Sequence, residues 1–320
     1  MNRSIGLVFA VFVALAVSYA FSARSGVALP ATEWRIENAL ILDAERAGAR
    51  LVAVGERGFV FVSDDEGKQW RRVDSGVSSA LTAVAFSDAK LGVAVGHDAL
   101  ILRTEDGGLS WLQVFSAVEQ QRPLLAVTFL SPEHVVAVGA YAAYFESRDA
   151  GRTWEERQVS EEDRHFNALA RLADGSVLLV GEAGTLLRSR DDGTNWERLA
   201  SPYPGSFFGV QPLPGGAVLA YGMRGTILRS EDAGNSWQAI DSHGTDSLFG
   251  GVMVGEASVA LLGQNGTVLL SDDRGATFRR APAKGGAALT AAIPVDAAVR
   301  LLLLGDGGVG QLALAQGDKQ

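Results

Sequence analysis

The chain has 320 residues, 38 glycines, no cysteine and a formal net charge of −9. Hydrophobic residues make up 47% of it and charged residues 20%, which is typical of a globular protein and excludes a disordered chain. An acidic chain without a basic run is a poor candidate for nucleic-acid binding. The missing cysteines exclude disulfides, a thiol nucleophile and a thiolate metal site. We therefore expect no nucleic acid, metal or cofactor.

Residues 1–23 have the pattern of a secretory signal peptide. Arg3 supplies a positive charge, and residues 5–23 then contain no charged residue. Ser18 and Ala20 have the small-x-small spacing of a cleavage site. An uncleaved anchor is the alternative, because about 18 apolar residues can span a bilayer. We expect a protein exported to the periplasm or another extracytoplasmic space, with residues 24–31 as a short linker.

The rest of the chain is built from one repeat, [S/T]-x-D-x-G-x-x-[W/F], which we call the Asp turn. Its six copies begin at residues 63, 104, 147, 189, 230 and 271, so successive copies are 41 to 43 residues apart. Its aspartates are Asp65, Asp106, Asp149, Asp191, Asp232 and Asp273. Its closing aromatic residues are Trp70, Trp111, Trp154, Trp196, Trp237 and Phe278.

A second signature, an apolar run that ends in glycine, precedes each Asp turn by eight residues. Short apolar stretches between turn signals indicate strands, and a period of 40–45 residues with four strands each indicates propeller blades. We therefore predict all-β structure, a single seven-bladed β-propeller of four-stranded antiparallel blades over residues 32–315. The glycines of the seven runs are Gly55, Gly96, Gly139, Gly181, Gly222, Gly263 and Gly305.

The two ends of the chain are expected to share the last blade. The seventh unit lacks a fourth strand, because its expected tryptophan position falls on Gln320, the last residue. Residues 32–36 resemble a spare fourth strand, with Trp34 in the place of the repeated tryptophan. We predict that this N-terminal strand completes blade seven and removes an open sheet edge, leaving residues 316–320 as a C-terminal tail.

The residue types of the Asp turn suit a structural role. An aspartate accepts backbone N–H bonds across a turn, a Ser or Thr hydroxyl adds another bond, and glycine takes a positive φ freely. The aromatic ring is then expected to pack on the neighbouring blade. Calcium binding by pairs such as Asp64 and Asp65 is the alternative, although only three of the six copies have two adjacent aspartates and Ca²⁺ needs about 6–8 oxygens.

The Asp turns look like Asp boxes, also called BNR repeats, which occur in sialidases and related propellers. Together with the spacing, the apolar run before glycine and the export signal, they resemble the photosystem II stability/assembly factor family and its non-photosynthetic bacterial relatives. The resemblance covers about residues 30–315. It implies the propeller fold and a protein partner, while Asp boxes by themselves carry little information on activity.

The face opposite the Asp turns is the candidate binding face, because its turns differ between blades while the Asp turns do not. Loops of a rigid scaffold often carry function, but they also tolerate neutral change. The candidates in the turns that follow the glycine runs are Glu56, Arg57, His97, Asp98, Tyr141, Glu182, Arg224, Gln264, Asn265 and Asp306. The candidates in the loops between blades are Arg122, Arg164, His165, Tyr203 and His243.

Two functions are considered. The first is a non-catalytic, monomeric propeller that serves as a protein-binding or assembly scaffold for a membrane or envelope complex. The family resemblance implies a basic, arginine-rich patch where the partner is a photosystem. This chain is acidic and offers no patch that can be matched residue by residue, so a bacterial envelope complex is the expected partner.

The second function is a sialidase-like or other glycoside hydrolase on the same face. A sialidase site needs arginines that grip a carboxylate, for which Arg57, Arg224 and a loop arginine are available, and a tyrosine nucleophile such as Tyr141. Glu182 could assist. An ordinary two-carboxylate glycosidase that uses Glu56, Asp98, Glu182 or Asp306 is equally open, since carboxylate separation cannot be read from sequence. No motif orders these residues, so catalysis is not favoured.

Overall fold

The computed structural model describes residues 2–21, 34–282, 285–297 and 299–314. The chain divides into two compact units, the second of which begins at Trp34. The first contains one helix, α1 (Asn2–Ala20), whose apolar side chains, such as Ile5 and Phe9, are exposed. Over the part of the chain that is described, no helix is both long and apolar enough to cross a membrane.

The second unit is a seven-bladed β-propeller, as predicted. Its strands pair antiparallel in seven separate sheets, each formed from consecutive strands. Blade 1 contains β1 (Ile41–Ala47), β2 (Arg50–Gly55), β3 (Val60–Ser63) and β4 (Arg71–Val73). Blade 2 contains β5 (Leu81–Phe86), β6 (Gly92–Gly96), β7 (Ile101–Thr104) and β8 (Leu112–Phe115). Blade 3 contains β9 (Leu124–Phe129), β10 (Val135–Gly139), β11 (Tyr144–Ser147) and β12 (Glu155–Glu156).

The remaining blades repeat the same order. Blade 4 contains β13 (Phe166–Arg171), β14 (Val177–Gly181), β15 (Leu186–Ser189) and β16 (Glu197–Arg198). Blade 5 contains β17 (Phe207–Pro212), β18 (Val218–Gly222), β19 (Ile227–Ser230) and β20 (Gln238–Ala239). Blade 6 contains β21 (Leu248–Val254), β22 (Ser258–Gly263), β23 (Val268–Ser271) and β24 (Arg279–Arg280). Blade 7 contains β25 (Leu289–Val295), β26 (Arg300–Gly305) and β27 (Gly308–Ala313).

The first strand of every blade lies innermost and contacts the first strands of both neighbouring blades, with β25 closing the ring onto β1. Seven apolar clusters, each drawn from two adjacent blades, fill the seams between them. The second strands are almost fully buried because both of their faces are covered by neighbouring blades. The hydrophobic core is therefore a set of radial seams, and the innermost strands surround a central channel.

The glycine that ends each second strand is required by a close approach of backbone. A Cβ on Gly139 would lie 2.1 Å from the carbonyl oxygen of Pro123, which precedes the innermost strand. The same distance in the other six blades is 2.0–2.3 Å. The repeated glycine therefore lets the second strand pass the start of the innermost strand, which is why the sequence signature recurs in every blade.

Each Asp turn is a local hydrogen-bonded unit. In blade 3 the Ser147 hydroxyl donates to Asp149 Oδ1 at 2.7 Å and accepts from the Gly151 amide at 2.9 Å. Asp149 also accepts from the Thr153 amide and hydroxyl, at 2.9 and 2.7 Å. The Trp154 ring packs in the seam with blade 2, and its Nε1 donates to the Gly151 carbonyl at 3.1 Å. Each position of the motif thus has a partner within the turn or the seam.

Buried and half-buried arginines join neighbouring blades, a feature that the sequence pattern did not predict. Arg103, Arg188 and Arg229 each precede the Ser or Thr of an Asp turn. Their guanidinium groups donate to backbone carbonyls in the Asp turn of the next blade, at Ala150 (2.7 Å), Ala233 (2.8 Å) and Arg274 (3.1 Å). Arg50, at the start of β2, and Arg157, just after β12, make the corresponding bonds to the Gly107 and Gly193 carbonyls. The arginines therefore satisfy turn carbonyls across the seams.

The prediction for blade 7 requires a correction. Residues 32 and 33 lie outside the described residues, Trp34 and Arg35 are not in a strand, and Ile36–Asn38 forms a short 3₁₀ turn. The Ile36 carbonyl lies over Gly308 as the Tyr203 carbonyl of an inter-blade loop lies over Gly184. Residues 34–40 therefore take the place of an inter-blade loop, and the seventh sheet has three strands among the described residues.

Trp34 is accordingly not the equivalent of the Asp-turn tryptophans. Each of those rings packs in the seam with the preceding blade, so a fourth-strand tryptophan of blade 7 would contact blade 6. Trp34 instead packs in the seam between blades 7 and 1, with its ring centroid 5.2 Å from that of Phe59. Its ring packs between the first and last blades, at the point where the propeller closes.

Candidate functional site

The turns that follow the glycine runs and the loops between blades lie at one end of the propeller, which we call the glycine-turn face. Their backbones bond to each other, as from the Ala117 amide to the Asp98 carbonyl and from the Ala142 amide to the Arg164 carbonyl, both at 2.9 Å. The Asp turns bond instead to the loops between first and second strands, as from the Gly107 amide to the Lys90 carbonyl. All of the sequence candidates therefore lie on the face opposite the Asp turns.

The second residue of the glycine turn adopts a left-handed conformation in blades 1 to 6. Arg57 has φ 54°, Tyr141 φ 55° and Arg224 φ 57°. For a residue with a Cβ this conformation costs about 1–2 kcal/mol, which glycine would avoid. These three side chains are exposed at the tips of their turns. Asp98, Ala183 and Asn265 have the same conformation in blades 2, 4 and 6.

The first residue of the turn has a structural role in three blades. Glu56 accepts from the Leu40 amide at 3.3 Å, Glu182 from the His165 amide at 3.3 Å and Gln264 from the Ser247 amide at 3.0 Å. Each bond ties the turn to the residue that directly precedes the innermost strand of its blade. Glu56 and Glu182, two of the candidate glycosidase carboxylates, therefore accept a backbone hydrogen bond that Gln264 accepts equally well in blade 6.

Tyr141, His165 and Glu182 meet where blades 3 and 4 adjoin. The Tyr141 and His165 ring centroids are 5.0 Å apart, and His165 Nδ1 lies 2.9 Å from Glu182 Oε2. Tyr141 is 51% exposed, so most of this aromatic surface is open to solvent. Tyr141 thus contacts an imidazole rather than the carboxylate that a tyrosine nucleophile requires.

Polar clefts run between the inter-blade loops of this face. One, of about 520 Å³, lies between Arg122 and Tyr141 on one side and the acidic loop Glu161, Glu162 and Asp163 on the other. Arg122 is already paired with Glu156 at 2.7 Å. A second cleft, of about 780 Å³, is lined by Arg164, Arg198 and the 199–204 loop. The face therefore offers both signs of charge beside the exposed Tyr141–His165 pair.

The other candidates are distributed around the ring. Tyr203 is a packed turn residue, since its hydroxyl donates to the Met223 carbonyl at 3.0 Å. His243 lies between Asp241 and the Phe278 carbonyl, and Asp98 accepts from the Ser79 hydroxyl at 2.8 Å. Asn265 donates to Asp246 at 2.8 Å. His97 and Asp306 are exposed.

These side chains do not converge on a single catalytic centre. Arg57 and Arg224 are in blades 1 and 5, and Arg164 donates to the Ala183 carbonyl in the loop region of blade 4. Within the described ranges, no group of three or more His, Asp and Glu residues is arranged to hold a metal ion. The arrangement is that of a broad surface with separated polar and aromatic contacts.

The central channel contains a second constellation that sequence reasoning missed. It encloses a cavity of about 300 Å³ lined by all seven innermost strands. Asp43 lines it, with Oδ1 accepting from the Ala44 amide and Oδ2 from the Val84 amide of blade 2, at 2.8 and 2.9 Å. Burial raises the pKa of Asp43 to about 6. The only sequence signal was an acid at a position that is Ala or Gly in the six other innermost strands.

Comparisons with known proteins agree with this geometry. The model of the family described as photosynthesis system II assembly factor YCF48 matches residues 113–257. The expected resemblance is confirmed: this chain resembles the YCF48 assembly factors. No curated protein matches the chain. The region matched by the YCF48 model spans blades 3, 4 and 5 completely, and so includes Tyr141, His165, Glu182 and Arg224.

Two solved YCF48 structures have the same fold. The structure "YCF48 bound to D1 peptide" gives a TM-score of 0.71 at 19% identity, covering 91% of this chain and 99% of that chain. YCF48 from Cyanidioschyzon merolae gives 0.70 at 18%, covering 86% and 96%. The WD40 propeller domain of Doa1 gives 0.69 at 11%, covering 88% and 94%. At these identities the structural similarity shows the fold alone.

Proposed function

We propose that this chain is an exported, non-catalytic propeller that binds a segment of a partner protein on its glycine-turn face and serves as a scaffold for a membrane or envelope complex. The observation that carries the proposal is the exposure of Arg57, Tyr141 and Arg224 in left-handed turns. Strained backbone conformations cluster at binding sites, and on this face they present three large side chains to solvent. We infer that these tips contact another molecule.

The centre of the surface is proposed at blades 3 and 4. Exposed tyrosine is enriched in protein interfaces, because it combines a large apolar area with one polar group. Here Tyr141 stacks on His165 and borders a cleft with Arg122 on one wall and acidic residues on the other. A partner segment carrying both charges would find complementary groups along the cleft.

The comparisons support a peptide-like partner. One of the similar YCF48 structures is described as bound to D1 peptide. A propeller of the same fold therefore binds a segment of another protein. For this chain the partner is proposed to be a bacterial envelope complex rather than a photosystem, because its net charge is −9.

A capture experiment tests the proposed surface. The variant Arg57→Gly/Tyr141→Gly/Arg224→Gly removes three tips while glycine relieves the left-handed strain, so the fold is expected to be retained. The matched control is Arg274→Gly, an exposed left-handed arginine on the Asp-turn face. Intact protein and control should recover the same membrane protein from solubilised envelopes, and the triple variant should lose at least ten-fold of it. Equal recovery by all three proteins would overturn the surface.

Export is tested separately. A reporter that is active only outside the cytoplasm, fused after residue 314, should be active with residues 1–23 present and inactive without them. The N-terminus of the exported protein distinguishes cleavage after residue 20 from an uncleaved anchor. Activity without residues 1–23 would contradict export through this segment. Hydrolysis of fluorogenic sialosides or other glycosides, lost in Glu182→Gln or Tyr141→Phe, would contradict the non-catalytic proposal.

A further inference from the structure

The second residue of every innermost strand is bulged out of its sheet. In blade 1 the pairing passes from Ile41 directly to Asp43, which leaves Leu42 unpaired, and the other six blades show the same shift. Bulges re-aim side chains and are common at rims and binding sites. The seven bulged residues, all of which line the channel cavity, are Leu42, Thr82, Leu125, Asn167, Phe208, Phe249 and Thr290. We call them the bulge ring.

The polar members of the bulge ring are occupied. Thr82, Asn167 and Thr290 each donate a side-chain hydrogen bond to the first carbonyl of the next innermost strand, at 2.6, 2.7 and 2.8 Å. The other four members are Leu or Phe, and the Phe208 and Phe249 ring centroids are 5.6 Å apart. The ring therefore presents a largely apolar wall to the cavity.

Two polar groups of the cavity have capacity for a further partner. Asp43 is the only charged residue among the described residues that line it, and each of its carboxylate oxygens accepts one backbone N–H. No described Lys, Arg or His forms an ion pair with Asp43. Tyr221 is only 4% exposed. Its hydroxyl makes no hydrogen bond to the described part of the chain. Burial, and after it the Asp43 carboxylate, raises the pKa of Tyr221. A buried carboxylate is normally paired with a cation.

The Asp43 position is otherwise reserved for small residues. The corresponding residues of the other innermost strands are Ala83, Ala126, Ala168, Gly209, Gly250 and Ala291. A Cβ on Gly250 would lie 2.3 Å from the Thr290 carbonyl, so at least one seam has no room for a side chain there. The Asp43 carboxylate reaches across the seam to the Val84 amide of blade 2, and its remaining lone pairs are available to a ligand in the cavity.

We propose that the bulge-ring cavity binds an ammonium or guanidinium group carried on an apolar stem. The cation lies between the Asp43 carboxylate and the Tyr221 hydroxyl, and the stem lies against Leu42, Phe208 and Phe249. An ion pair compensates the buried carboxylate, and the aromatic rings attract a cation further. The same chemistry is available from a free amphiphilic amine or from a Lys or Arg side chain of a docked protein.

The test uses three ligands of one shape on the full chain. Titration calorimetry at pH 7.5 compares 2-phenylethylamine, which is cationic, with neutral 2-phenylethanol and anionic 3-phenylpropionate. The amine should bind at least ten-fold more tightly than the other two. Asp43→Asn should lower its affinity at least ten-fold and Tyr221→Phe about three-fold, while Asp272→Asn, at an exposed carboxylate outside the cavity, should leave it unchanged. Melting curves verify that each variant is folded.

The source of the cation is identified with acetylated, amidated peptides of three residues that carry a central Lys, Arg or norleucine between leucines. Tighter binding of the Lys or Arg peptide than of the norleucine peptide assigns the cavity to a partner side chain. Binding of the amine alone assigns it to a small molecule. No amine binding, equal binding of the alcohol, or unchanged amine affinity in Asp43→Asn would overturn the proposal. The glycine variants of the turn tips leave the cavity intact, so they should still bind the amine. Failure of the docking surface in the capture experiment can therefore be distinguished from failure of the cation site.

Discussion

Arg188 of blade 4 donates from Nη1 to the Ala233 carbonyl of blade 5 at 2.8 Å, and its side chain is only 3% exposed. Arg188→Ala is expected to lower the free energy of unfolding by about 2–3 kcal/mol, because it leaves a buried carbonyl without its donor. Chemical denaturation measures the change. Arg190→Ala is the matched control, since Arg190 also pairs with Glu197 but is 59% exposed, and it should cost less than about 0.5 kcal/mol. Equal losses would contradict the inter-blade role.

Asp273→Ala is expected to lower the free energy of unfolding by about 1–2 kcal/mol, because Asp273 accepts from the Ser271 hydroxyl and from the Thr277 amide and hydroxyl. Asp272→Ala, at an exposed neighbour, should stay within about 0.5 kcal/mol. Desolvation opposes the shift, but these hydrogen bonds lower the pKa of Asp273 to about 2. Its contribution is therefore present above pH 4 and is lost as the pH falls through 2. If Asp273→Ala and the parent protein lost the same free energy of unfolding between pH 4 and pH 2, this role would be contradicted.

Glu45 should have the opposite pH dependence. Burial, followed by the nearby Asp43 carboxylate, raises the pKa of Glu45 from 4.5 to about 8. The folded state therefore prefers the protonated form, and the free energy of unfolding decreases as the pH rises from 4.5 to 8, by about 3 kcal/mol at pH 7. Glu45→Gln should be more stable than the parent at pH 8 and similar to it at pH 4.5, because a glutamine oxygen can still accept from the Phe86 amide.

The control for this prediction is Glu155→Gln, at an exposed position of β12, which should not change the pH dependence by more than about 0.5 kcal/mol. Denaturation curves at pH 4.5, 6, 7 and 8 measure both variants. An unchanged pH profile in Glu45→Gln would show that Glu45 is ionised in the folded protein at no cost.

Trp34→Ala is expected to cost about 2 kcal/mol, because a half-buried ring leaves the seam between blades 7 and 1. The position of the ring is tested by double-mutant cycles. Trp34→Ala should be coupled to Phe59→Leu by about 0.5–1.5 kcal/mol and additive with Leu312→Ala, which lies in the seam between blades 6 and 7. Coupling to Leu312 instead would place Trp34 in a fourth strand of blade 7.

The fold could be predicted because its signals are local. Each hydrogen bond of an Asp turn spans at most five consecutive residues, as from the Gly151 amide to the Ser147 hydroxyl and from the Thr153 amide to Asp149 Oδ1. Every copy of the motif can therefore be recognised by itself. The glycine at the end of each apolar run is required because the backbone before the innermost strand passes too close for a Cβ, and this contact recurs with the same period. Repetition of both signals implied blades, their number and the face on which the variable turns lie.

The fourth strand assigned to residues 32–36 shows where local pattern ceases to be informative. Trp34 follows the sequence pattern of an Asp-turn tryptophan, but it lies in a different seam because Ile36–Asn38 turns across the start of β27. A tryptophan can fill either seam, and its choice depends on the path of the backbone before it.

Likewise, the arginines that cross the seams could not be recognised as a sequence motif, because blades 1 and 3 supply the same bond from other positions in the repeat. The channel site depends most on the closed ring. Asp43 and Tyr221 belong to blades 1 and 5 and are 178 positions apart in the chain (221 − 43), yet both line one cavity. A repeat specifies the strands and turns of each blade. Contacts between residues that differ from blade to blade form only when the ring closes and brings the innermost strands together.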